Sequence, residues 1–162
     1  MRYHNITKDD MLNGDGLRVV LWTAGCSHCC PKCQNPVTWD PDGGLLFDEA
    51  AKEELFEELR KSYISGVTFS GGDPLYLGTR ADLLELIKEI KEKFPSKTMW
   101  LYTGYLWEEV KNLELVSYLD VLVDGEFIYD QLDVTLKWKG SANQRVIDVQ
   151  KSLEKNEVVL YA

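Results

Sequence analysis

The chain has 162 residues, a length typical of one domain with a continuous hydrophobic core. Hydrophobic residues make up 44% of it and charged residues 28%, which excludes a disordered chain. Its formal net charge of −9 argues against a nucleic-acid partner, because binding to phosphates requires a basic face.

The sequence also argues against a membrane partner. Apolar runs such as residues 17–24 are too short to cross a bilayer, and the first five residues lack the apolar core of a signal peptide. All four cysteines lie within residues 26–33, whereas a disulfide framework would join distant segments. We therefore expect a cytoplasmic protein whose cysteines bind a metal or act catalytically.

Strands and helices alternate along the chain from residue 17 onward. A predicted strand over residues 17–22 runs directly into the cysteine-rich segment. Asp48 can cap a helix that continues to about residue 61, in which Ala51, Leu55 and Leu59 form one apolar face. Further strands are predicted over residues 66–70, 98–102, 119–123 and 145–149, and further helices over residues 79–94 and 106–115.

This alternation predicts an α/β fold with a mainly parallel sheet and right-handed crossovers. A complete eight-stranded barrel needs roughly 250 residues, so we expect an open, partial (β/α) barrel formed by a single domain over residues 1–162. Chemistry in such folds gathers where the strands end. Segments with unusual sequences follow the first four strands, at residues 25–35, 71–74, 102–105 and 124–125.

The cysteines after the first strand are the most informative feature. Cys26, Cys30 and Cys33 form a C-x3-C-x2-C group, while Cys29 also allows C-x2-C-x3-C. Three thiolates can hold three irons of a [4Fe–4S] cluster and leave the fourth open to an outside ligand. Zinc with Cys29 or His28 as a fourth ligand is an alternative, as are reactive thiols, but a zinc site usually has two separated ligand pairs.

The Gly71-Gly72-Asp73-Pro74 segment has a plain interpretation as a strand-to-helix turn. Its functional interpretation is a ligand loop, because two glycines allow close approach to the backbone and Asp73 adds a carboxylate. No P-loop lysine follows, so the loop suits the amino group of an amino-acid-like ligand better than a phosphate. Residues 140–145 offer a hydroxyl, amides and a guanidinium, either as a binding loop or as a solvated turn.

These motifs together resemble the radical S-adenosylmethionine (SAM) superfamily, and within it the activating proteins of anaerobic (class III) ribonucleoside-triphosphate reductases. The cysteine group and the Gly-Gly-Asp-Pro segment carry the likeness to the superfamily. The narrower likeness rests on residues 13–18, 25–28, 35–39, 102–105, 123–127 and 140–145, which extend over most of the chain.

The resemblance implies a role for each matching residue. Cys26, Cys30 and Cys33 would hold the [4Fe–4S] cluster, with catalysis acting through it, and Cys29 would be an extra. The methionine amino group of the cofactor SAM would lie against Ser70, Gly71, Gly72 and Asp73. The other implied cofactor contacts are Lys32, Gln34, Thr103 and Asn143, and Gln34 stands where many superfamily members have an aromatic residue.

The resemblance also implies an activity and partners. The protein would cleave SAM reductively and use the 5′-deoxyadenosyl radical to form a glycyl radical on the large reductase subunit. An external one-electron donor, flavodoxin-like or similar, would reduce the cluster. Two alternatives are an activase of another glycyl-radical enzyme, such as pyruvate formate-lyase, and a small iron–sulfur electron carrier.

Overall fold

A single mixed sheet organises the chain in the computed structural model, which describes residues 1–33 and 36–162. Its seven strands are arranged in the order β3-β1-β2-β4-β5-β6-β7. The strand bounds are Arg2–Asp10 (β1), Arg18–Thr23 (β2), Leu45–Leu46 (β3), Gly66–Gly71 (β4), Thr98–Tyr102 (β5), Val121–Asp124 (β6) and Arg145–Asp148 (β7).

In the residues that the structure describes, four α-helices connect or follow these strands. Their bounds are Glu49–Leu59 (α1), Arg80–Lys93 (α2), Trp107–Val110 (α3) and Val149–Lys155 (α4), and short 3-10 helices cover Pro36–Thr38, Leu77–Thr79, Glu114–Tyr118 and Tyr129–Gln131. The Asp48 side chain caps α1 as predicted, accepting a hydrogen bond from the Ala51 amide at 2.9 Å. No helix in the described part of the chain has both the length and the apolarity to cross a membrane.

The prediction of an α/β fold is confirmed, and the strands β2, β4, β5 and β6 are parallel neighbours. The sheet is more mixed than predicted, however, because β1 lies antiparallel to β2 and to β3, and β7 lies antiparallel to β6. A parallel neighbour needs a long crossover, usually a helix. Residues 125–144 before β7 contain only one 3-10 turn, so the chain returns in the opposite direction.

The predicted helix over residues 106–115 is divided in two. Helix α3 ends at Val110, and a 3-10 helix over Glu114–Tyr118 follows. Asn112 lies at the break, and asparagine is a weak helix former because its side chain competes for backbone hydrogen bonds.

The two faces of the sheet carry different cores. On one face, buried strand residues such as Leu21, Phe69 and Leu101 pack with Leu55 of α1 and Ile87 of α2. The opposite face carries Arg18 and Thr68, which are hydrogen-bonded to each other, and a smaller apolar cluster. That cluster contains Trp100, Val121, Val123 and Val146, with Tyr102 and Trp138 packed against it.

Candidate functional site

A cavity of about 590 Å³ lies at the carboxyl ends of the parallel strands. The parallel strands contribute Trp22, Ser70 and Tyr102, and Gly125 follows β6. The described residues of all four segments with unusual sequences therefore lie at one edge of the sheet, as the strand alternation predicts.

Three of the four cysteines line this cavity, namely Cys26, Cys30 and Cys33. Cys29 is exposed, adopts a positive φ of 50° and is not among the lining residues. The geometry therefore favours the C-x3-C-x2-C group over the alternative triad. All four cysteines are thiols rather than disulfides.

Backbone hydrogen bonds attach the cysteine loop, described here over residues 25–33, to the rest of the fold. The Gly25 amide donates to the Thr38 carbonyl at 2.8 Å, and the Cys26 amide donates to the Trp39 carbonyl at 3.0 Å. The Cys33 amide donates to the Cys30 carbonyl at 3.1 Å and closes a tight turn. These bonds direct several thiols into one cavity.

Three thiols that line one cavity are compatible with a [4Fe–4S] cluster. In residues 1–33 and 36–162, no three histidine, cysteine or acidic side chains converge on one point as the ligands of one metal ion would. A [4Fe–4S] cluster has no such requirement, because each cysteine binds a different iron. Thiols that line a common cavity without converging therefore fit this cofactor.

The surroundings of Cys26 and Cys30 raise the pKa of both thiols and so disfavour their thiolate forms. Burial raises the pKa of Cys26, and burial together with the nearby Glu126 carboxylate raises the pKa of Cys30 to about 11. The Cys30 Sγ lies 3.7 Å from Glu126 Oε2. Since metal ligation requires thiolates, the irons themselves must supply the positive charge that deprotonates these groups.

The protein's own backbone requires the glycine that ends β4, Gly71, and the one that follows it, Gly72. A Cβ on Gly71, whose φ is 110°, would lie 2.5 Å from the backbone nitrogen and oxygen of Thr23. A Cβ on Gly72 would lie 2.5 Å from the Gly25 carbonyl oxygen and 2.6 Å from that of Thr38. The glycines therefore let the loop over residues 71–73 pack directly against the start of the cysteine loop.

Asp73 is buried at this junction, with only 1% of its surface exposed. Its carboxylate accepts hydrogen bonds from the Leu75 and Gly104 amides and from the Thr103 hydroxyl, each at 2.9 Å. A fourth bond joins Asp73 Oδ2 to His28 Nε2 at 2.6 Å. Asp73 thus connects the loops that follow β2, β4 and β5.

His28 and Glu126 complete the junction, and the sequence patterns did not single out Glu126. The bond to Asp73 raises the pKa of His28, and burial opposes this effect. His28 Nδ1 faces Glu126 Oε1 at 3.4 Å. The position of Glu126 directly after β6, at the same edge as the cysteines, is the signal that could have indicated it.

Of the remaining residues predicted to contact the cofactor, the structure places only some at the cavity. Ser70 and Thr103 line the cavity. Lys32 is exposed, with its Nζ 4.0 Å from the centre of the Tyr129 ring, and Asn143 donates to the Glu126 carbonyl at 2.8 Å. Within the described part of the chain, neither Lys32 nor Asn143 belongs to the cavity lining. Gln34 lies outside the described residues.

The segment between β6 and β7 forms a largely apolar wall of the cavity. Tyr102 fastens this wall by donating a hydrogen bond from its hydroxyl to the Trp138 carbonyl at 2.5 Å. At its end, Gln144 donates to the Gly125 carbonyl at 2.9 Å. The wall residues that line the cavity include Phe127, Leu132, Val134, Leu136 and Trp138.

Comparison with known proteins agrees with this geometry. The 4Fe-4S single cluster domain family matches residues 12–147. An anaerobic ribonucleoside-triphosphate reductase-activating protein of Enterobacteria phage T4 is 44% identical over 146 residues, covering 90% of this chain and 93% of the phage protein. Proteins of the same name are 38% identical in Haemophilus influenzae, over 89% of this chain and 96% of theirs, and in Escherichia coli K12, over 90% and 97%.

The matched residues contain the cysteine loop, the Gly-Gly-Asp loop and the apolar wall, and the likeness extends over nearly all of each protein compared. The chain therefore belongs to the family of anaerobic ribonucleoside-triphosphate reductase-activating proteins.

Proposed function

We propose that this protein is a radical SAM activase that forms a glycyl radical on the large subunit of anaerobic ribonucleoside-triphosphate reductase. The observation that carries the proposal is the cavity that holds three cysteine thiols beside the Gly-Gly-Asp loop. The names of the relatives support the choice of partner.

Cys26, Cys30 and Cys33 would hold a [4Fe–4S] cluster, and SAM would occupy the rest of the cavity. When bound, the reduced cluster would supply the electron for reductive cleavage of SAM at its sulfur–C5′ bond, the chemistry needed to remove a hydrogen atom from a glycine of the partner. The protein's own contribution is to place the thiols, shape the cavity and exclude water.

Three groups of residues would divide this work. Ser70, Gly71, Gly72 and Asp73 would form the wall at the amino-acid end of SAM, and Thr103 would hold that wall in place through Asp73. The apolar wall would keep water from the radical. Lys32, Gln34 and Asn143 would act at the edge of the site, toward the cofactor or the partner.

The architecture suits a partner that must insert a loop. The parallel strands β2, β4, β5 and β6, with chemistry at their carboxyl ends, support a partial (β/α) barrel of the radical SAM type in one domain over residues 1–162. Its unclosed side would admit the glycine loop of the reductase. An external one-electron donor of the flavodoxin type would reduce the cluster in the cytoplasm, where thiols stay reduced.

Anaerobic assays test this function in two stages. The protein is loaded with iron and sulfide, reduced and mixed with SAM, and 5′-deoxyadenosine and methionine are quantified. It is then mixed with the large reductase subunit or with pyruvate formate-lyase, and electron paramagnetic resonance (EPR) detects a glycyl radical. No cleavage by a fully loaded, reduced protein would exclude the enzyme, and a radical only on pyruvate formate-lyase would identify the wrong partner.

A further inference from the structure

One histidine ring connects three loops around the cavity. His28 belongs to the cysteine loop, its Nε2 meets Asp73 of the Gly-Gly-Asp loop at 2.6 Å, and its Nδ1 faces Glu126 after β6 at 3.4 Å. The ring packs edge-on against Tyr105, with 4.6 Å between the ring centres. Its side chain is only 10% exposed.

The residues around the His28 ring leave little free space. A Cβ on Gly104 would lie 2.6 Å from His28 Cδ2, so the glycine leaves room for the imidazole alone. The Tyr105 ring also faces the Arg80 guanidinium, whose central carbon lies 5.3 Å from the centre of the Tyr105 ring. Arg80 in turn donates to the Leu75 carbonyl at 2.6 Å, which fixes the same Gly-Gly-Asp loop.

The Asp73 carboxylate has little capacity left for a ligand. An ionised carboxylate offers about four lone-pair sites. In this protein four donors already occupy them, from Leu75, Thr103, Gly104 and His28. A cofactor ammonium group could bind this carboxylate only by displacing one of these buried partners, which would leave a buried donor unsatisfied.

We infer that His28 is the positioning residue of the cluster loop, and that Asp73 acts on the cluster through His28 rather than by binding the amino group of SAM with its side chain. The inference rests on the proposed function for the identity of the cluster and of SAM.

The position of His28 has a direct consequence for the cluster ligand Cys26. The backbones of His28 and Cys29 are hydrogen-bonded to the Cys26 sulfur. Hydrogen bonds to cluster sulfurs help to set the reduction potential, because they stabilise the more negative, reduced cluster. Holding the His28 ring in place would therefore also hold the His28 backbone amide, whose hydrogen bond would help to set the reduction potential of the cluster.

The first test uses the metal-free protein and a matched pair of variants. In His28→Gln the side-chain amide nitrogen can occupy the place of Nε2 and keep the bond to Asp73, whereas in His28→Asn it can reach only the place of Nδ1. Hydrogen–deuterium exchange of the amides in residues 26–30 should be at least about fivefold faster in His28→Asn than in the wild type and close to wild type in His28→Gln. Ser27→Ala, an exposed change in the same loop, is the control.

The second test separates the two roles of Asp73 in the cluster-loaded protein. We expect His28→Asn to shift the reduction potential of the SAM-free cluster in the negative direction, because only the anchor is lost. Asp73→Asn loses the same anchor but also a buried negative charge, so its shift should be less negative than that of His28→Asn. In the double variant the loss of the anchor counts once, so the two single shifts should not add. SAM affinity, measured by equilibrium binding, should change less than about threefold in Asp73→Asn.

Opposite results would overturn the inference. Direct binding by Asp73 predicts that Asp73→Asn weakens SAM binding roughly tenfold to a hundredfold while the potential and EPR signal of the SAM-free cluster stay unchanged. Equal exchange rates in His28→Asn and His28→Gln would also contradict it. The exchange measurement needs neither cluster nor SAM, so a failure of the proposed activase function would leave its outcome readable.

Discussion

At the scale of single residues, the four cysteines have different environments despite their closeness in sequence. Cys30 is buried, lines the cavity and lies 3.7 Å from Glu126, whereas Cys29 is exposed and lies outside the lining. A thiol that ligates the cluster cannot be replaced by a hydroxyl, but an exposed one can.

We therefore predict that Cys29→Ser keeps a cleavage-competent cluster and that Cys30→Ser does not. Iron and sulfide content after anaerobic reconstitution, the EPR signal of the reduced cluster and the yield of 5′-deoxyadenosine measure this. The Cys29 variant should retain near wild-type values in all three. The reverse result would identify the C-x2-C-x3-C group as the ligands.

Gly72 gives a second residue-scale prediction. In Gly72→Ala the new methyl group meets two backbone oxygens at 2.5 and 2.6 Å, which must shift because backbone atoms cannot rotate away. We expect a loss of about 1–3 kcal/mol of unfolding free energy in urea, together with poorer cluster loading. Gly78→Ala, whose nearest contact is the flexible Tyr76 ring at 3.3 Å, should change stability by under about 1 kcal/mol.

At the scale of elements, two ion pairs of Arg145 join β6, β7 and α3. Arg145 in β7 contacts the fully buried Asp124 of β6 at 2.5 Å and Glu108 of α3 at 2.8 Å. Asp124 also accepts the first amide of α3, from Trp107, at 2.9 Å. Removing Arg145 would leave a buried carboxylate without its cation.

We expect Arg145→Met to lower the free energy of unfolding by roughly 2–4 kcal/mol, below the full effect of a completely buried pair because Arg145 is one-third exposed. Chemical denaturation measures the change. The control is Arg60→Met, which breaks an exposed pair with Glu53 and should change the unfolding free energy far less than Arg145→Met does. Equal effects in the two variants would show that the ion pairs of Arg145 do not join these elements.

Sequence patterns predicted the central elements better than the edges. The predicted strands over residues 66–70 and 98–102 agree with β4 and β5 because buried parallel strands form continuous apolar runs. Strand β1 was missed since its nine residues are largely polar and only Ile6 is buried. The direction of β7 was also missed, since it depends on the absence of a crossover helix.

The site likewise has positions that could be predicted from the sequence and a side-chain contact that could not. The positions of Cys26, Cys30 and Gly71 at strand ends were enough to predict where chemistry gathers. The contact between Asp73 and His28 could not be predicted, because it joins residues 45 apart through side chains whose directions depend on the packing of three loops. Sequence spacing carries no information about such a contact.

At the scale of the whole molecule, the two ends of the sheet have separate roles. The amino ends of the parallel strands are covered by the C-terminal segment, where the Tyr161 ring packs edge-to-face with Trp100 and its hydroxyl donates to Asp15 at 2.7 Å. The Tyr161 amide also donates to the Val146 carbonyl at 2.8 Å. The cysteines lie at the other end, among the lining of the large cavity.

Tyr161→Ala should therefore lower stability without changing the cluster. The loss of ring contacts with Trp100 and Trp138 predicts a decrease of about 1–2 kcal/mol in unfolding free energy and a change in tryptophan fluorescence. Iron content and the EPR signal should stay at wild-type values. Tyr63→Ala, which removes an exposed ring, is the matched control, and a changed EPR signal in Tyr161→Ala would contradict the separation of the two ends.

The antiparallel return into β7 has a consequence for how this protein can diversify. The segment over residues 125–144 leaves the sheet at Asp124 and re-enters it at Arg145, and these two residues are both strand partners and an ion pair. The contacts between Asp124 and Arg145 thus fix the two ends of this segment without involving its interior. Because of this, the interior can be lengthened or replaced without shifting the strand register. Sequence changes in the interior of the wall would therefore act on the cavity that it lines rather than on the sheet.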